Sequence, residues 1–562
     1  MRISQLVVGA ALAAFAVHCQ SEVPEAPAPE EKVIESHPGT IVITSPERAA
    51  FIEQGPAVVE VRGTGATSAL TVNGEKAEVS PDGAFVARVK PEAGLNLVVA
   101  ADGEARTETA FLYGRFEKPT TPVAHAIALQ VGGRGITAAL PAASLESVTN
   151  LALAKRDLMG AIRGQSFNGT VSGATWTFSV TDGKNGAAKV ALAPAAKGLG
   201  VNASIEDLVV DGRLSLTALG LTYARDVHIV VESAVVAGNV ELGLDEGKAT
   251  LTAAMPTAET KLEGFRFDTD NAGFPCCVDT ILTNFLKPKV ELAIRDGIRE
   301  QLPKAIALSL EGVGVPKQID FAAAGFAVKL PVATRFDGVS FDTGGATITS
   351  SVLFGGALAS GTPAAKAPGW LAMGAPYSEP QSRAPALGVS FAIDAVNQLL
   401  FATWGSGALA YSAPAPLSAK LTAALPPVIT IGDGGAVKLG IGEILVQREG
   451  SDQPLAAVTV LADVIPSGDR DALVLTPKGE PTVSITWLSD GIVASGRNLV
   501  AVAAKEQLNK LLKPFRVPVP KVALEALGGG FAGQSLAIES PSVVADKKTG
   551  RITASGAMVL GR

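Results

Sequence analysis

The sequence predicts a mainly β chain carrying long amphipathic helices, an α+β architecture built on antiparallel sheets. Three observations carry that prediction. Runs rich in Val and Thr alternate apolar with polar residues, and 60 glycines and 35 prolines punctuate them. Beyond Pro288, apolar residues fall at Val290, Ile294, Ile298, Leu302, Ile306 and Leu310, a four-residue step that places them along one side of a helix, with Lys289, Glu291, Arg295, Arg299 and Glu300 elsewhere around it. The order helix, meander, long helix, strand is met twice along the chain, a repeat of pattern rather than of residues. From Pro288 to Leu302 the first long helix spans on the order of 20 Å, and Pro303 predicts a kink or break.

At 562 residues, 47% hydrophobic and 18% charged, the chain can bury several cores, enough for about three to four domains. Residues 1–19 hold one early cation, Arg2, an apolar run from Leu6 to Val17, and then Cys19. That run is short for a spanning helix and suits a secretory signal. The small-residue approach to a cysteine resembles a bacterial lipoprotein signal, which implies lipidation of Cys19 and a membrane anchor; His18 departs from that pattern, and ordinary signal cleavage is the alternative. Removing Arg2 takes the formal charge from -7 to -8, so no basic, polyanion-binding face is implied and nucleic acid is not an expected partner. Three cysteines in an exported chain of this length do not make a disulfide framework. Cys276 and Cys277 are either free or joined to each other, and no second Cys/His pair completes a metal site. No cofactor is expected.

Residues 20–39, with EVPEAPAPEEK, read as a Pro/Glu/Ala tether, too polar to bury. Over 40–116, the alternation Val59-Glu60-Val61-Arg62, an Asn73-Gly74 hairpin turn and a second turn at Pro81-Asp82-Gly83 predict an antiparallel β-sandwich. Its VNG turn and the GLN before its last strand resemble bacterial immunoglobulin-like modules, which implies a spacer or binding platform.

Residues 117–356 open with alternation from Ala124 to Val131, then a helix over about 142–162 with Leu145, Val148 and Leu151 on one side. A long antiparallel meander follows, because no helix separates its strands. Residues 357–386, with five prolines among Ala, Gly and Ser, read as a linker. In 387–562 the order returns: a helix in GVSFAIDAVNQLLFATWGSGAL with Val389, Ile393, Val396 and Leu400 along one side, strands from about 415 to 487, a long helix over roughly 496–512 with Leu508, Leu511 and Leu512, and a last strand ITASGAMVL.

Two β-rich halves joined by a proline-rich linker resemble the bactericidal/permeability-increasing protein (BPI) and lipid-transfer protein superfamily, the tubular lipid-binding fold. AHAIALQVGGRGITAALPAASLESV resembles its opening strand and first helix, VNASIEDLVVDGRLSL its early strands, LGVSFAIDAVNQLLFATWGSGAL the start of its second half, and LNKLLKPFRVPVP with SPSVVADKKTGRITASGAMVL its closing elements. The resemblance implies two tubular, BPI-like halves, each a highly curved antiparallel sheet wrapped on long amphipathic helices, which leave apolar tubes for acyl chains. The pocket-lining residues expected on that basis are Leu145, Val148, Leu151, Val290, Ile294, Ile298 and Leu302 in the first half, and Ile393, Val396, Leu400, Leu508, Leu511 and Leu512 in the second. Two departures stand: the family's strand-to-helix disulfide has no distant partner for Cys276 or Cys277, and the acidic balance lacks the basic tip that engages lipopolysaccharide.

Small Ala, Val and Gly side chains leave room for acyl chains, each buried methylene contributing about 0.8 kcal/mol; they also suit a close-packed, ligand-free core. TWGSGA over 403–408 is not a nucleophile elbow and has no placed histidine partner. GGGFAG over 528–533 follows a helix and precedes a strand, the reverse of a phosphate-binding order. Asp268, Asp270 and Asp279 sketch a calcium loop whose fifth position is Ala272, so a solvated turn is expected. The function expected is non-enzymatic: an exported, membrane-tethered protein of the cell envelope that carries phospholipid or another acyl-chain lipid. The alternative is a lipid-free surface platform.

Overall fold

The computed structural model describes residues 32–36, 41–137, 143–153, 158–245, 247, 250–269, 281–311, 313–314, 317–323, 326–356, 358–374, 386–413, 419–448, 450–451, 453–469, 472–489, 514–518, 521–524 and 533–561. It is mostly β, with curled half-barrel sheets. Cys19, Cys276, Cys277, the helix expected over 496–512 and the full calcium-loop pattern lie outside the described residues.

Strand β1 (Lys32–Ser36) pairs in parallel with residues 482–486, so part of the expected tether is an edge strand. Polarity does not prevent this, because an open sheet edge needs only backbone donors and acceptors. Strands β2 (Val42–Ser45), β3 (Val59–Thr64) and β4 (Phe85–Val89) form one sheet of the N-terminal module. Strands β5 (Gly94–Asp102) and β6 (Ala105–Glu117) pair antiparallel in a second. Val61, Leu70, Phe85, Val98 and Phe111 share the core of the module. Asn73 and Gly74 both take positive φ, at +50° and +84°, the conformation a tight hairpin turn requires.

The next region opens with β7 (Val123–Gly132) and α1 (Leu145–Leu153). The helix expected over 142–162 is shorter than the periodicity suggests: Leu158–Ala161 is a 3₁₀ turn, and Gly160 sits in it. The meander follows in β8 (Ser166–Val171), β9 (Ala174–Lys184), β10 (Ala188–Ala195), β11 (Gly198–Ala218), β12 (Leu221–Asp245) and β13 (Ala258–Glu263). Alternating burial is plain in β10, where Val190 and Leu192 point inward and Ala191 and Ala193 outward. A register shift between Val180 and Asp182 marks a bulge in the β9–β11 ladder, a feature that adds local twist.

Helix α2 (Lys287–Glu311) follows a π-helical turn and runs through the buried Pro303 as one continuous element, so of the kink or break expected there, the break does not occur. Leu302, Ile306 and Ala307 are buried on both sides of the proline, so tertiary burial offsets the lost hydrogen bond. Strands β14 (Gln318–Ala323), β15 (Phe326–Asp342) and β16 (Gly345–Phe354) end this half. Within the expected linker, β17 (Trp370–Ala372) is buried and pairs antiparallel with β6. There a short, fully buried apolar run, Trp370-Leu371-Ala372, decides over the surrounding prolines.

The second half begins with β18 (Leu387–Ala392) and α3 (Ile393–Gly405). The helix expected from Gly388 therefore starts later, and Val389 belongs to a strand. Its meander is β19 (Ala419–Ala423), β20 (Val428–Ile431), β21 (Val437–Arg448), β22 (Pro454–Gly468) and β23 (Ala472–Trp487). It closes with β24 (Lys521–Ala523), β25 (Ser535–Asp546) and β26 (Arg551–Gly561).

A nine-stranded sheet joins the halves, in the order Val313–Gly314, β24, β25, β26, β18, β7, β16, β15, β14. Opening strand meets opening strand at its centre, Ile127 opposite Phe391 and Leu129 opposite Val389. Outward from that pair, each half adds its last strand, then the one before it, then the one before that. The order is the same on both sides, so the halves are related by a pseudo-twofold axis between β7 and β18.

Candidate functional site: the helix-lined interior

Helix α2 turns one side into the first half. Val290, Ala293, Ile294, Ile298, Leu302 and Ile306 are buried, while Leu292, Asp296, Arg299, Glu300 and Lys304 are exposed. Polar flanks fix its rotation. Arg299 Nε donates to Met255 O at 2.6 Å, Leu262 N–H donates to Glu291 Oε1 at 3.4 Å, and the Lys289 ammonium lies 5.9 Å from the centre of the Trp176 ring.

On α1, Leu145 and Val148 are buried and Leu151 is half-buried. Asn150 holds the helix to β10 by using its amide as a backbone unit: Nδ2 donates to Val190 O at 2.9 Å, and Oδ1 accepts from Val190 N–H at 2.5 Å. Glu146 Oε2 accepts from Leu192 N–H at 2.8 Å. An apolar cavity of about 20 Å³ remains between Leu153, Val190, Ile205, Ile298 and Leu302, room for one or two water-sized groups. A separate open trough of about 510 Å³ crosses the outer face of the sheet over Ala191, Ala193, Gly200, Asn202, Ala237 and Asn239. The sequence carries its signal as small residues at every second, outward position, which the reading of the inward face passed over.

In the second half, Ile393, Val396 and Leu400 are buried on α3, and so is most of the rest of that helix. Asn397 repeats the device of Asn150: Nδ2 donates to Ile429 O at 3.1 Å and Oδ1 accepts from Ile429 N–H at 2.7 Å. Gln398 bridges to the first half, Oε1 accepting from Phe354 N–H at 3.0 Å and Nε2 donating to Thr121 O at 2.7 Å. Asp394 accepts from Met373 N–H at 2.7 Å, and burial pushes its carboxyl above the usual range. Leu508, Leu511 and Leu512 lie outside the described residues.

The structure therefore brings Leu145, Val148, Val290, Ile294, Ile298, Leu302, Ile393, Val396 and Leu400 into one connected apolar core, with Leu151 packed against it. Sequence reasoning missed Arg551, which is buried at the pseudo-twofold axis. Its Nη1 donates to His125 O at 2.8 Å, Nε to Ser390 Oγ at 2.8 Å and Nη2 to Ser390 O at 2.9 Å, tying β26 to both opening strands. No local pattern announces such a residue.

Ser406 of TWGSGA donates to Thr403 O at 2.7 Å and so caps α3. Asp211 and His228 form an exposed cross-strand pair on β11 and β12. Among the described residues no group of three His, Cys, Asp or Glu is placed to hold a metal ion, and no helix is long and apolar enough to cross a membrane.

No protein-family model matches this sequence, and no curated protein matches it. Among solved structures, a lipopolysaccharide binding protein is similar at 11% identity and a TM-score of 0.41, over 78% of this chain and 99% of that one. P47 of Clostridium botulinum E1 is similar at 10% identity and a TM-score of 0.27, over 78% of this chain and all of that one (100%). P47 from Clostridium botulinum A2 is similar at 8% identity and a TM-score of 0.29, over 78% and 98%.

Proposed function

We propose that this chain is an exported, non-enzymatic lipid-binding protein, tethered to a membrane of the cell envelope through Cys19, that carries phospholipid or another acyl-chain lipid in apolar tubes. The observation that supports it best is the row Val290, Ile294, Ile298 and Leu302 on α2, turned into a curled sheet whose inward positions are mostly Val, Leu and Ile, with Ala203 and Gly212 among them. Such a wall offers an acyl chain continuous apolar contact, and headgroups would stay at the opening. The N-terminal module serves on this reading as an immunoglobulin-like spacer.

One observation favours the second reading, a lipid-free platform: beside Ile298 and Leu302 the cavity is about 20 Å³, so side chains fill that stretch. The two readings part in native mass spectrometry of the exported chain carrying Cys19→Ser, followed by lipid extraction. Bound mass that releases phospholipid on denaturation is the outcome expected. A clean apo mass, together with no uptake of a fluorescent lipid, would transfer the proposal to the platform.

A further inference from the structure

The N-terminal module is seated on the meander of the second half. Leu95 of β5 lies over Gly440 and Gly442 of β21, where an added Cβ would come within 2.8 and 2.6 Å of its side chain, so only glycine admits that approach. Leu112, Leu371, Leu425 and Val428 form a small apolar cluster along the same seam.

Two carboxylates are buried beside it. Glu443 projects from a bulge in β21 with φ +51°, and its carboxylate is saturated: Arg48 Nη1 donates to its two oxygens at 2.7 and 2.9 Å, and Ala110 N–H donates at 2.7 Å. Glu108 on β6 is not. Arg106 Nε and Nη2 both reach Oε1 at 2.6 Å, while Oε2 is buried and has no hydrogen-bond partner among the described residues. The side chains of Glu108 and Glu443 are each 1% exposed, against 31% for Arg106 and 27% for Arg48. The charges acting on Glu108 are Arg106 and Arg48, which favour its ionised form, and Glu443, which opposes it. A buried carboxylate oxygen with no hydrogen-bond donor, under the opposing charge of a second carboxylate, is where a proton relieves an uncompensated charge.

We propose that Glu108 is a proton-binding site in this seam, and that the module is held more firmly on the second half when Oε2 carries the proton. Burial raises the carboxyls of Glu108 and Glu443 above the ordinary range, which gives the sign. The seated state binds a proton more tightly than the unseated one. The added hold is fully present below the ordinary glutamate value and is lost as pH rises through the raised value. This inference does not rest on lipid binding.

Hydrogen exchange on the full chain tests it, followed in peptides covering β6 and β21 between about pH 8 and about pH 5 and corrected for the intrinsic pH dependence of exchange. The opening constant of the seam is expected to fall on acidification by up to about tenfold per pH unit. Glu108→Gln should diminish that dependence to what Glu443 contributes, and Arg106→Gln should move the Glu108 part to higher pH, because loss of the cation on Oε1 favours the proton. A wild-type seam flat across the range would overturn the proposal. So would an undiminished dependence in Glu108→Gln, or an unmoved one in Arg106→Gln.

Discussion

Asn150 and Asn397 each give both ends of a side-chain amide to one strand residue, Val190 and Ile429, so each does in a single position what a neighbouring strand would do in two. Replacing either by Ala strands an N–H and a carbonyl, at about 1–3 kcal/mol for buried groups. Asn397→Ala should cost the more, because its bonds are buried and those of Asn150 only partly so. Urea unfolding of the two variants checks this; equal, negligible shifts would mean that water replaces the amide in both halves. The apolar rows beside these residues were legible from spacing. The asparagines were not: each serves a strand 40 or 32 positions away, and a lone polar residue in an apolar row reads from sequence as an interruption.

Among the elements, α2 was the most legible and also the most instructive. Its four-residue step follows the buried side, from Val290 through Ile306, yet of the kink or break expected at Pro303 the break is absent, because packing on both sides outweighed it. The start of α3 was misjudged for the opposite reason: Leu387–Ala392 is a short apolar run with both faces covered, which periodicity alone cannot distinguish from helix. The same helices set a test of the interior. Ile294→Trp combined with Ile298→Trp should reduce lipid uptake while the fold persists if acyl chains pass that row. Were the row a filled core instead, the two tryptophans would cost about 1–3 kcal/mol in overpacking, and uptake would be nil before and after. Measuring thermal stability and fluorescent-lipid uptake on the same variant separates the outcomes.

Over the whole molecule, the repeated order of elements pointed to two halves, but not to how they join. The proline-rich stretch between them read only as a linker, whereas the structure runs one nine-stranded sheet through both halves and lays the intervening β17 against the N-terminal module. Pairing between β7 and β18 spans roughly 260 positions of sequence, beyond the reach of any local signal. The consequence is an obligate edge. Expressed without residues 387–562, the chain keeps β7 paired with β16 but leaves its other edge, from Ile127 to Val131, open, an apolar strand edge that seeks another strand. Such a fragment should dimerise through that edge or aggregate at micromolar concentration, and adding the missing half in trans should suppress it. Sedimentation velocity on the fragment decides the matter: a monomer that keeps its sheet content would show that each half is sufficient to itself and that the shared sheet only docks them. The expected association would show that the central strands complete both halves at once, so that neither sheet stands without the other.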